Sequence, residues 1–382
     1  MLKLLTIIGA RPQIIKAAAL SRAIKNKYSK KIQEIIVHTG QHYDENMSQV
    51  FFDELNIPHP HYNLNSGSGA HGKQTALMIV GIEDILVKEK PNCIVLYGDT
   101  NSTLAGAITA SKMQIPVIHI EAGLRSFNKA MPEEINRILC DHVSTLLFSP
   151  TRSGYDNLLR EGFKEKNKPP YTFDNPKVFH CGDVMYDNSL HFSKIAEKKT
   201  NVLKANDLEK GHFILATIHR NNNTDDTIRL NALFSAINKI SLKNKIRTII
   251  PLHPRTAKLL EKNLSKKLHA DIQKNEYIKI IPPVSFLEMI ALEKNSKMVI
   301  TDSGGVQKEA FFFQKPCIIL RSETEWLELV ACGSAKIADA DESKIVKAYA
   351  DLSTAKKLKF PTLFGDGKAS EFICEAILKY IK

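Results

Sequence analysis

The sequence predicts an α/β protein built on two doubly wound parallel sheets, and three observations predict it. Short, nearly continuous apolar runs alternate with helical patterns along the chain, as strands do when helices cover both faces of a parallel sheet. The alternation falls into two series, and 382 residues exceed what one hydrophobic core organises. Polar, glycine-containing motifs follow the apolar runs directly, at the strand ends where open parallel sheets bind ligands.

The first series places strands at 4–8, 34–38, 93–97, 117–120, 146–148 and 178–181, with helical patterns at 12–25, 74–87 and 102–112. The second places strands at 213–217, 248–252, 278–281, 298–300, 317–320 and 335–337, with helices at 227–240 and 306–313. The break is expected after the turn Gly182-Asp183-Val184, in the polar stretch 193–206. That gives an N-terminal domain of residues 1–192 carrying the acidic motifs and a C-terminal domain of 193–370. Residues 371–382 read as a terminal helix that crosses back onto the first domain. Polar motifs at strand ends in both halves predict a cleft between the domains.

Composition narrows the function. A hydrophobic fraction of 43% and a charged fraction of 25% are those of a globular protein, and no apolar run approaches the roughly 20 residues that span a bilayer. The first nine residues have a short apolar core that runs into Arg11, a first strand and not a signal peptide. Cys93, Cys140, Cys181, Cys317, Cys332 and Cys374 are scattered without a C-x-x-C pair, which predicts buried free thiols and a cytoplasmic protein. The net charge of +12 suits an anionic ligand, but it is dispersed as lysines with no basic stripe interleaved with aromatics. Neither a nucleic acid nor a membrane is an expected partner. The carboxylates and histidines lack the spacing of a metal site, and no G-x-G-x-x-G, Walker A or G-x-S-x-G string occurs, so no metal or cofactor is expected.

The motifs carry the chemistry. Thr301-Asp302-Ser303-Gly304-Gly305-Val306-Gln307-Lys308-Glu309 joins an apolar strand to a helix, so free backbone N–H groups and the helix dipole converge on one spot suited to a phosphate. Glu309, near the end of the first helical turn, can accept from a ribose diol. Gly9-Ala10-Arg11-Pro12 follows the first strand; Gly9 permits the turn, Pro12 fits the first helical position, and Arg11 and Lys16 reach a diphosphate. His38-Thr39-Gly40-Gln41-His42-Tyr43-Asp44 reads either as a site wall or as a satisfied turn. Asp99 reads as a helix cap or an acid, Glu121 as a strand-end carboxylate in want of a partner, and Glu133 as a helix-start charge. Three carboxylates at successive strand-end or helix-start positions of one domain point to acid/base chemistry. His219-Arg220 ends the first strand of the second domain and suits a phosphate and a proton, and Leu252-His253-Pro254-Arg255 adds a basic wall.

Taken together, the strings G-A-R-P-Q, G-Q-H-Y-D, Y-G-D-T-N-S-T, H-I-E-A-G-L-R, P-E-E-I-N-R, G-D-V, H-R, L-H-P-R and T-D-S-G-G-V-Q-K-E make the chain resemble a non-hydrolysing UDP-N-acetylglucosamine 2-epimerase from residue 4 to about 374. The resemblance implies the GT-B architecture, two Rossmann-like domains with an interdomain cleft, and a homodimer. It implies that Asp99, Glu121 and Glu133 are the acid/base carboxylates, with His219 essential beside them. It places Arg11 and Lys16 near the substrate, Ser303, Gly304 and Gly305 on the phosphates and Glu309 on the ribose; His253 and Arg321 complete the expected binding set. Gln41, His42 and Arg220 are compatible with the regulatory UDP-sugar site of some members. The pattern departs from the family at Asn222, at Trp326, at Met289 where an aromatic often stacks on uracil (Phe286 is nearby), and in a shorter segment between Glu121 and Glu133. The strings K-E-A-F-F-F-x-K-P-C and T-E-W resemble a subgroup acting on UDP-2,3-diacetamido-glucuronate, for surface polysaccharide.

The implied reaction is elimination of UDP to a 2-acetamidoglycal, followed by re-addition with a proton delivered to the opposite face. Carbon 2 is poorly acidic beside an anomeric carbon, and departure of the diphosphate supplies the missing acidity. A hydrolysing 2-epimerase, a GT-B glycosyltransferase and a nucleotide-sugar sensor are the competing readings.

Overall fold

The computed structural model describes residues 1–41, 57–252 and 254–381, with Pro254 and Arg255 described through the backbone alone. The chain divides into two compact units, Met1–Asn188 with Thr362–Lys382, and Ser189–Pro361. The first unit ends inside the helix Val184–Lys199, a few residues before the expected polar break, and the chain re-enters it from Thr362, earlier than the expected 371.

The first unit holds β1 (Leu2–Ile8), β2 (Ile32–His38), β3 (Tyr62–Asn63), β4 (Cys93–Tyr97), β5 (Val117–Ile120), β6 (Leu146–Ser149) and β7 (Lys177–His180). They form one parallel sheet in the order β3-β2-β1-β4-β5-β6-β7. Leu4, Leu5, Ile7, Ile94, Leu96 and Val117 are fully buried, as strands covered on both faces must be. Helices His71–Glu89 and Asn101–Lys112 close one face through Met78, Ile82, Ala105 and Ala107. The helix Arg11–Ala23 packs on the terminal helix Ala369–Tyr380. Asp187 fixes the start of that helix by accepting from the backbone N–H of Ala369 at 3.1 Å and of Ser370 at 2.8 Å. β3 was not expected: it is two residues at the sheet edge, paired with Val37 and His38, and carries no apolar run.

The second unit holds β8 (Phe213–Thr217), β9 (Arg247–Pro251), β10 (Ile278–Ile281), β11 (Met298–Thr301), β12 (Cys317–Ile319) and β13 (Ala335–Ile337), parallel in the order β10-β9-β8-β11-β12-β13. Helices Thr227–Asn244 and Glu342–Thr354 pack together over one face through Leu233, Phe234, Ile345 and Leu352. Asp226 caps the former and Asp341 the latter.

Each sheet reverses its strand order once. The reversal lies between β1 and β4 in the first unit and between β8 and β11 in the second. A crevice opens beyond the carboxyl ends of strands at such a point, because the flanking connections leave in opposite directions. Among the described residues no helix is long and apolar enough to cross a membrane, and the six cysteines are free thiols.

Candidate active site

The first unit gathers its acidic residues at the β1/β4 switch point. Gly9 ends β1, and a Cβ there would sit 2.1 Å from both Ser102 Oγ and Thr39 Oγ1. Space, not an unusual backbone angle, demands glycine at this turn. Gln13 is 1% exposed and locks the turn: its Oε1 accepts from Gly9 N at 2.9 Å and Ala10 N at 3.2 Å, and its Nε2 donates to Tyr97 O at 3.0 Å, the end of β4. The turns after β1 and β4 are thereby one piece.

Asp99 does not cap the helix that follows β4. Thr100 does, its side chain accepting from Thr103 N, and this leaves the Asp99 carboxylate for other contacts. Arg137 Nε donates to Asp99 Oδ2 at 3.1 Å, and Asn136 Nδ2 donates to Asp99 O at 2.9 Å. Burial pushes the Asp99 carboxyl up; Arg137 and Lys16 pull it down, Glu121 and Glu133 push it further up, and the net is a value above the ordinary one. Asp99, Lys16, Glu121, Glu133 and Arg137 therefore form one electrostatic cluster.

Glu121, one residue past β5, forms an ion pair with Lys16 across 105 positions of sequence. Its φ of 76° lies in the left-handed region, a strained setting for a residue with a Cβ. Gly98, with φ of 63°, makes room for the pair: a Cβ there would lie 3.0 Å from Lys16 Nζ and 3.2 Å from Glu121 Oε2. Beneath them His119 is fully buried, its Nδ1–H donating to Asp141 at 2.6 Å and its Nε2–H to Gly98 O at 2.8 Å. Burial alone would discharge this ring, but Asp141 and Cys140 outweigh it and hold its pKa well above the ordinary value. Asp141 also accepts from Arg125 at 2.8 Å and from Gly123 N at 3.1 Å. The network ties β5 to Gly98, the residue before Asp99.

Two adjacent glutamates divide their labour. Glu134 is 1% exposed and accepts from Ser126 N at 3.0 Å, Phe127 N at 2.9 Å and Arg137 at 3.0 Å, which fixes the loop after Glu121. Glu133 is exposed at the helix start. Arg11 is exposed at the start of its helix. Gln41 is a wall residue with a structural duty, its Oε1 accepting from Ser102 N at 3.1 Å and Ser102 Oγ at 2.8 Å. His42 and His253 lie outside the described residues.

The second unit gathers its polar groups at the β8/β11 switch point. Ser303 caps the helix Gly304–Phe312 through Val306 N, and Gly304 and Gly305 form its first turn, where a helix leaves backbone N–H groups without intrahelical partners, a setting that suits an anion. Asp302 is fully buried and accepts from His219 N at 3.1 Å, Arg220 N at 3.0 Å and Asn223 Nδ2 at 3.1 Å. Arg220 Nε donates to Asp302 O at 3.0 Å. His219 and Arg220 are exposed, and Asp302 holds both beside the Ser303-Gly304-Gly305 turn. Arg321 lies next to that turn and pairs with Glu325 at 2.7 Å; a Cβ on Gly304 would sit 2.1 Å from Glu325 Oε1. Phe286 is 6% exposed and packs on Phe192, ring centroids 5.4 Å apart, so here its ring is core packing. Glu309 is half-buried.

Sequence reasoning did not single out Arg137, Asn136, Gln13 or Asp302. Arg137 was within reach, since it lies four residues after Glu133 and three after Glu134, on one helix face. A cavity of about 170 Å³ opens beside the starts of β6 and β7, lined by His142, Phe163, Phe173 and Asn175 among others, none of them a candidate residue.

Two Rossmann-like sheets, each with its polar residues collected at the switch point, define an α/β protein of the GT-B architecture. The family described as UDP-N-acetylglucosamine 2-epimerase matches residues 24–378. A Pseudomonas aeruginosa protein named UDP-2,3-diacetamido-2,3-dideoxy-D-glucuronate 2-epimerase is 48% identical over 379 residues, 99% of this chain and 100% of its own. A Methanocaldococcus jannaschii UDP-N-acetylglucosamine 2-epimerase is 45% identical over 385 residues, all of both chains. A crystal structure of the M. jannaschii UDP-GlcNAc 2-epimerase, in complex with UDP-GlcNAc and UDP, superposes with a TM-score of 0.83 at 43% identity, over 99% of this chain and 100% of that one. The Neisseria meningitidis enzyme bound to UDP-GlcNAc superposes with a TM-score of 0.82 at 30% identity, over 99% and 100%. The chain belongs to the UDP-N-acetylglucosamine 2-epimerase family.

Proposed function

We propose that this chain inverts carbon 2 of a UDP-2-acetamido sugar without hydrolysing it. The observation that carries the proposal is the cluster of Asp99, Glu121 and Glu133 with the cations Lys16 and Arg137 at one switch point. A phosphate-binding or sugar-binding module has no use for three carboxylates held beside two cations. Base-assisted loss of the carbon 2 proton and its return on the other face does need them.

In the proposed reaction a carboxylate takes the carbon 2 proton. The C–H electrons form the carbon 1–carbon 2 double bond, and the carbon 1–oxygen electrons leave with UDP. Re-addition reverses this, with an acid delivering a proton to the opposite face of carbon 2 as a diphosphate oxygen returns to carbon 1. The first unit supplies the proton-transfer groups. The second supplies the diphosphate contacts through Ser303, Gly304, Gly305, His219 and Arg220, and the ribose contact through Glu309. Arg11 suits the leaving diphosphate as a cation at the end of β1, and Arg321 borders the phosphate turn. The raised Asp99 carboxyl suits the acid at the start of the cycle, and Glu121, with Lys16 as counter-charge, suits the base.

The substrate is UDP-N-acetylglucosamine or its 2,3-diacetamido-glucuronate relative, in keeping with the two kinds of relative, and the product feeds surface polysaccharide. The enzyme works as a homodimer in the cytoplasm; exposed Leu77, Val80 and Val87 on the helix His71–Glu89 and the free thiols support this. The test offers both sugars side by side in deuterated buffer and follows them by proton and phosphorus NMR. The expected result is an epimeric UDP-sugar labelled at carbon 2. Unlabelled epimer rejects the elimination route, and free sugar plus UDP rejects the non-hydrolysing reading.

A further inference from the structure

Glu293 is a buried acid that neither the fold nor the proposed reaction has used. It lies in the helix Phe286–Asn295, is 0% exposed, and among the described residues neither side-chain oxygen meets a hydrogen-bond donor. Its helix packs on Gly304–Phe312, and the group that faces it across that seam is the Glu309 carboxyl. From β12 it is faced by the Cys317 thiol, which burial keeps neutral. The short helix Val202–Ala205 also packs on this helix and brings it no charged group; among the described residues no cation faces Glu293.

An ionised carboxylate sealed from water without a donor or counter-charge is costly, and a second carboxylate beside it makes it more so. Burial first, and Glu309 second, hold the Glu293 pKa well above its ordinary 4.5. A carboxyl that keeps its proton is a hydrogen-bond donor, as ionised carboxylates never are. Among the described residues the acceptor it faces is Glu309.

We propose that Glu293 acts as a neutral acid that donates its O–H to one oxygen of Glu309 and so turns the other oxygen toward the ribose diol of the nucleotide. Glu293 is a positioning residue, and the proposal rests on the reading of Glu309 as the ribose ligand. Its signature is affinity for a nucleotide with an intact diol, lost at alkaline pH when Glu293 ionises and repels Glu309.

The experiment is calorimetric titration of the full chain with UDP and with 2′,3′-dideoxy-UDP, for the wild type, Glu293→Met, Glu293→Gln and Glu309→Gln. Glu293→Met is expected to weaken UDP by roughly tenfold, the worth of one hydrogen bond to a charged group, and to leave dideoxy-UDP unchanged. Glu293→Gln keeps a neutral N–H donor, so it binds UDP within about twofold of wild type at neutral pH and, unlike wild type, holds that affinity into the alkaline range. In turnover assays Glu293→Met raises KM and leaves kcat near wild type. Wild-type UDP affinity in Glu293→Met, or an equal loss for both nucleotides, overturns the proposal. Should Glu293→Met not fold, the alkaline behaviour of Glu293→Gln decides alone, and an alkaline loss equal to that of wild type overturns it. Unchanged UDP binding in Glu309→Gln overturns the ribose reading itself, whereas a weakened Glu309→Gln beside an unaffected Glu293→Met overturns only the role of Glu293.

Discussion

Asp302 offers the sharpest test of how the second unit holds its site. It is 0% exposed, and its carboxylate accepts from His219 N, Arg220 N and Asn223 Nδ2 at 3.0 to 3.1 Å. Asp302→Ala leaves three buried N–H groups without an acceptor, those of His219 N and Arg220 N and one of the two on Asn223 Nδ2, whose other stays on Leu320 O at 3.0 Å. Each orphaned donor costs about 1–3 kcal/mol, so the sum is at least about 3 kcal/mol even after water enters the space. Asp302→Asn is milder. With its carbonyl oxygen at the Oδ2 position it still meets all three donors, and what it loses is the charge assistance and the His219 N–H contact at Oδ1, where its amide nitrogen now stands, about 1–2 kcal/mol together. Trp326 makes the measurement clean. It is the single tryptophan, it is 4% exposed, and it lies in the second unit with Lys308 Nζ 4.3 Å from its ring centre. Urea unfolding followed by tryptophan fluorescence therefore reports that unit alone. With a slope of roughly 2 kcal/mol/M, the midpoint falls by about 1.5 M or more for alanine and by about 0.5–1 M for asparagine. A midpoint shift below about 0.3 M for alanine, or a larger one for asparagine, would refute the reasoning.

Asp99→Asn and Glu121→Gln are each expected to lower kcat by about 10²–10⁴-fold while UDP affinity in calorimetry stays within about twofold; near-wild-type turnover removes that residue from the chemistry. The His119 pKa is raised in the folded chain above its ordinary 6.5, so its stabilisation is complete below 6.5 and is lost as pH rises through the higher folded value. His119→Gln is expected to flatten the alkaline fall of the melting temperature of the first unit, and an unchanged alkaline limb in calorimetry counts against the ion network. Gly9→Ala drives a Cβ into Ser102 Oγ and Thr39 Oγ1, both 2.1 Å away, and breaks their mutual 2.8 Å hydrogen bond. The expected cost is about 1–3 kcal/mol of stability with reduced turnover, read by thermal melting, and a variant as stable as wild type refutes the packing account.

The sequence was most legible where one strand's own residues decide its fate. Cys93–Tyr97 was placed to the residue because it is a five-residue apolar run bounded by Asn92 and Gly98. β1 starts earlier than its apolar run, at Leu2, because Lys3 is in the ladder through its backbone, paired with Gln33 while its N–H donates to Asn92 Oδ1. β3 exists only because β2 offers an edge to it. The division between the units falls within the continuous helix Val184–Lys199, where no change of composition marks it. At the site, motif positions were legible because parallel strands deliver their ligands at one end. Partners were not: Lys16 and Glu121 are 105 residues apart, and nothing local in either predicts the pair. Helix-capping chemistry also misled, since Asp99 and Thr100 are both good caps and only the backbone path chose Thr100.

That choice bears directly on the proposed chemistry. A cap residue spends its oxygen on the helix N–H groups, which lowers the proton affinity of a carboxylate and ties it to one duty. With Thr100 as the cap, Asp99 instead feels burial and two neighbouring carboxylates against Arg137 and Lys16, and the balance leaves it readier to hold a proton than a free aspartate. Glu121, beyond the next strand, has the Lys16 ammonium against it. Inverting a carbon requires one group to begin the cycle with a proton and another to begin without, and the same two cations serve both. Because Lys16 and Arg137 touch different members of the cluster, a proton moving from one carboxyl to another shifts the charge balance of all of them at once. The pair ends each turnover with its protonation states exchanged, ready for the reverse reaction, without any group leaving the ends of β4 and β5.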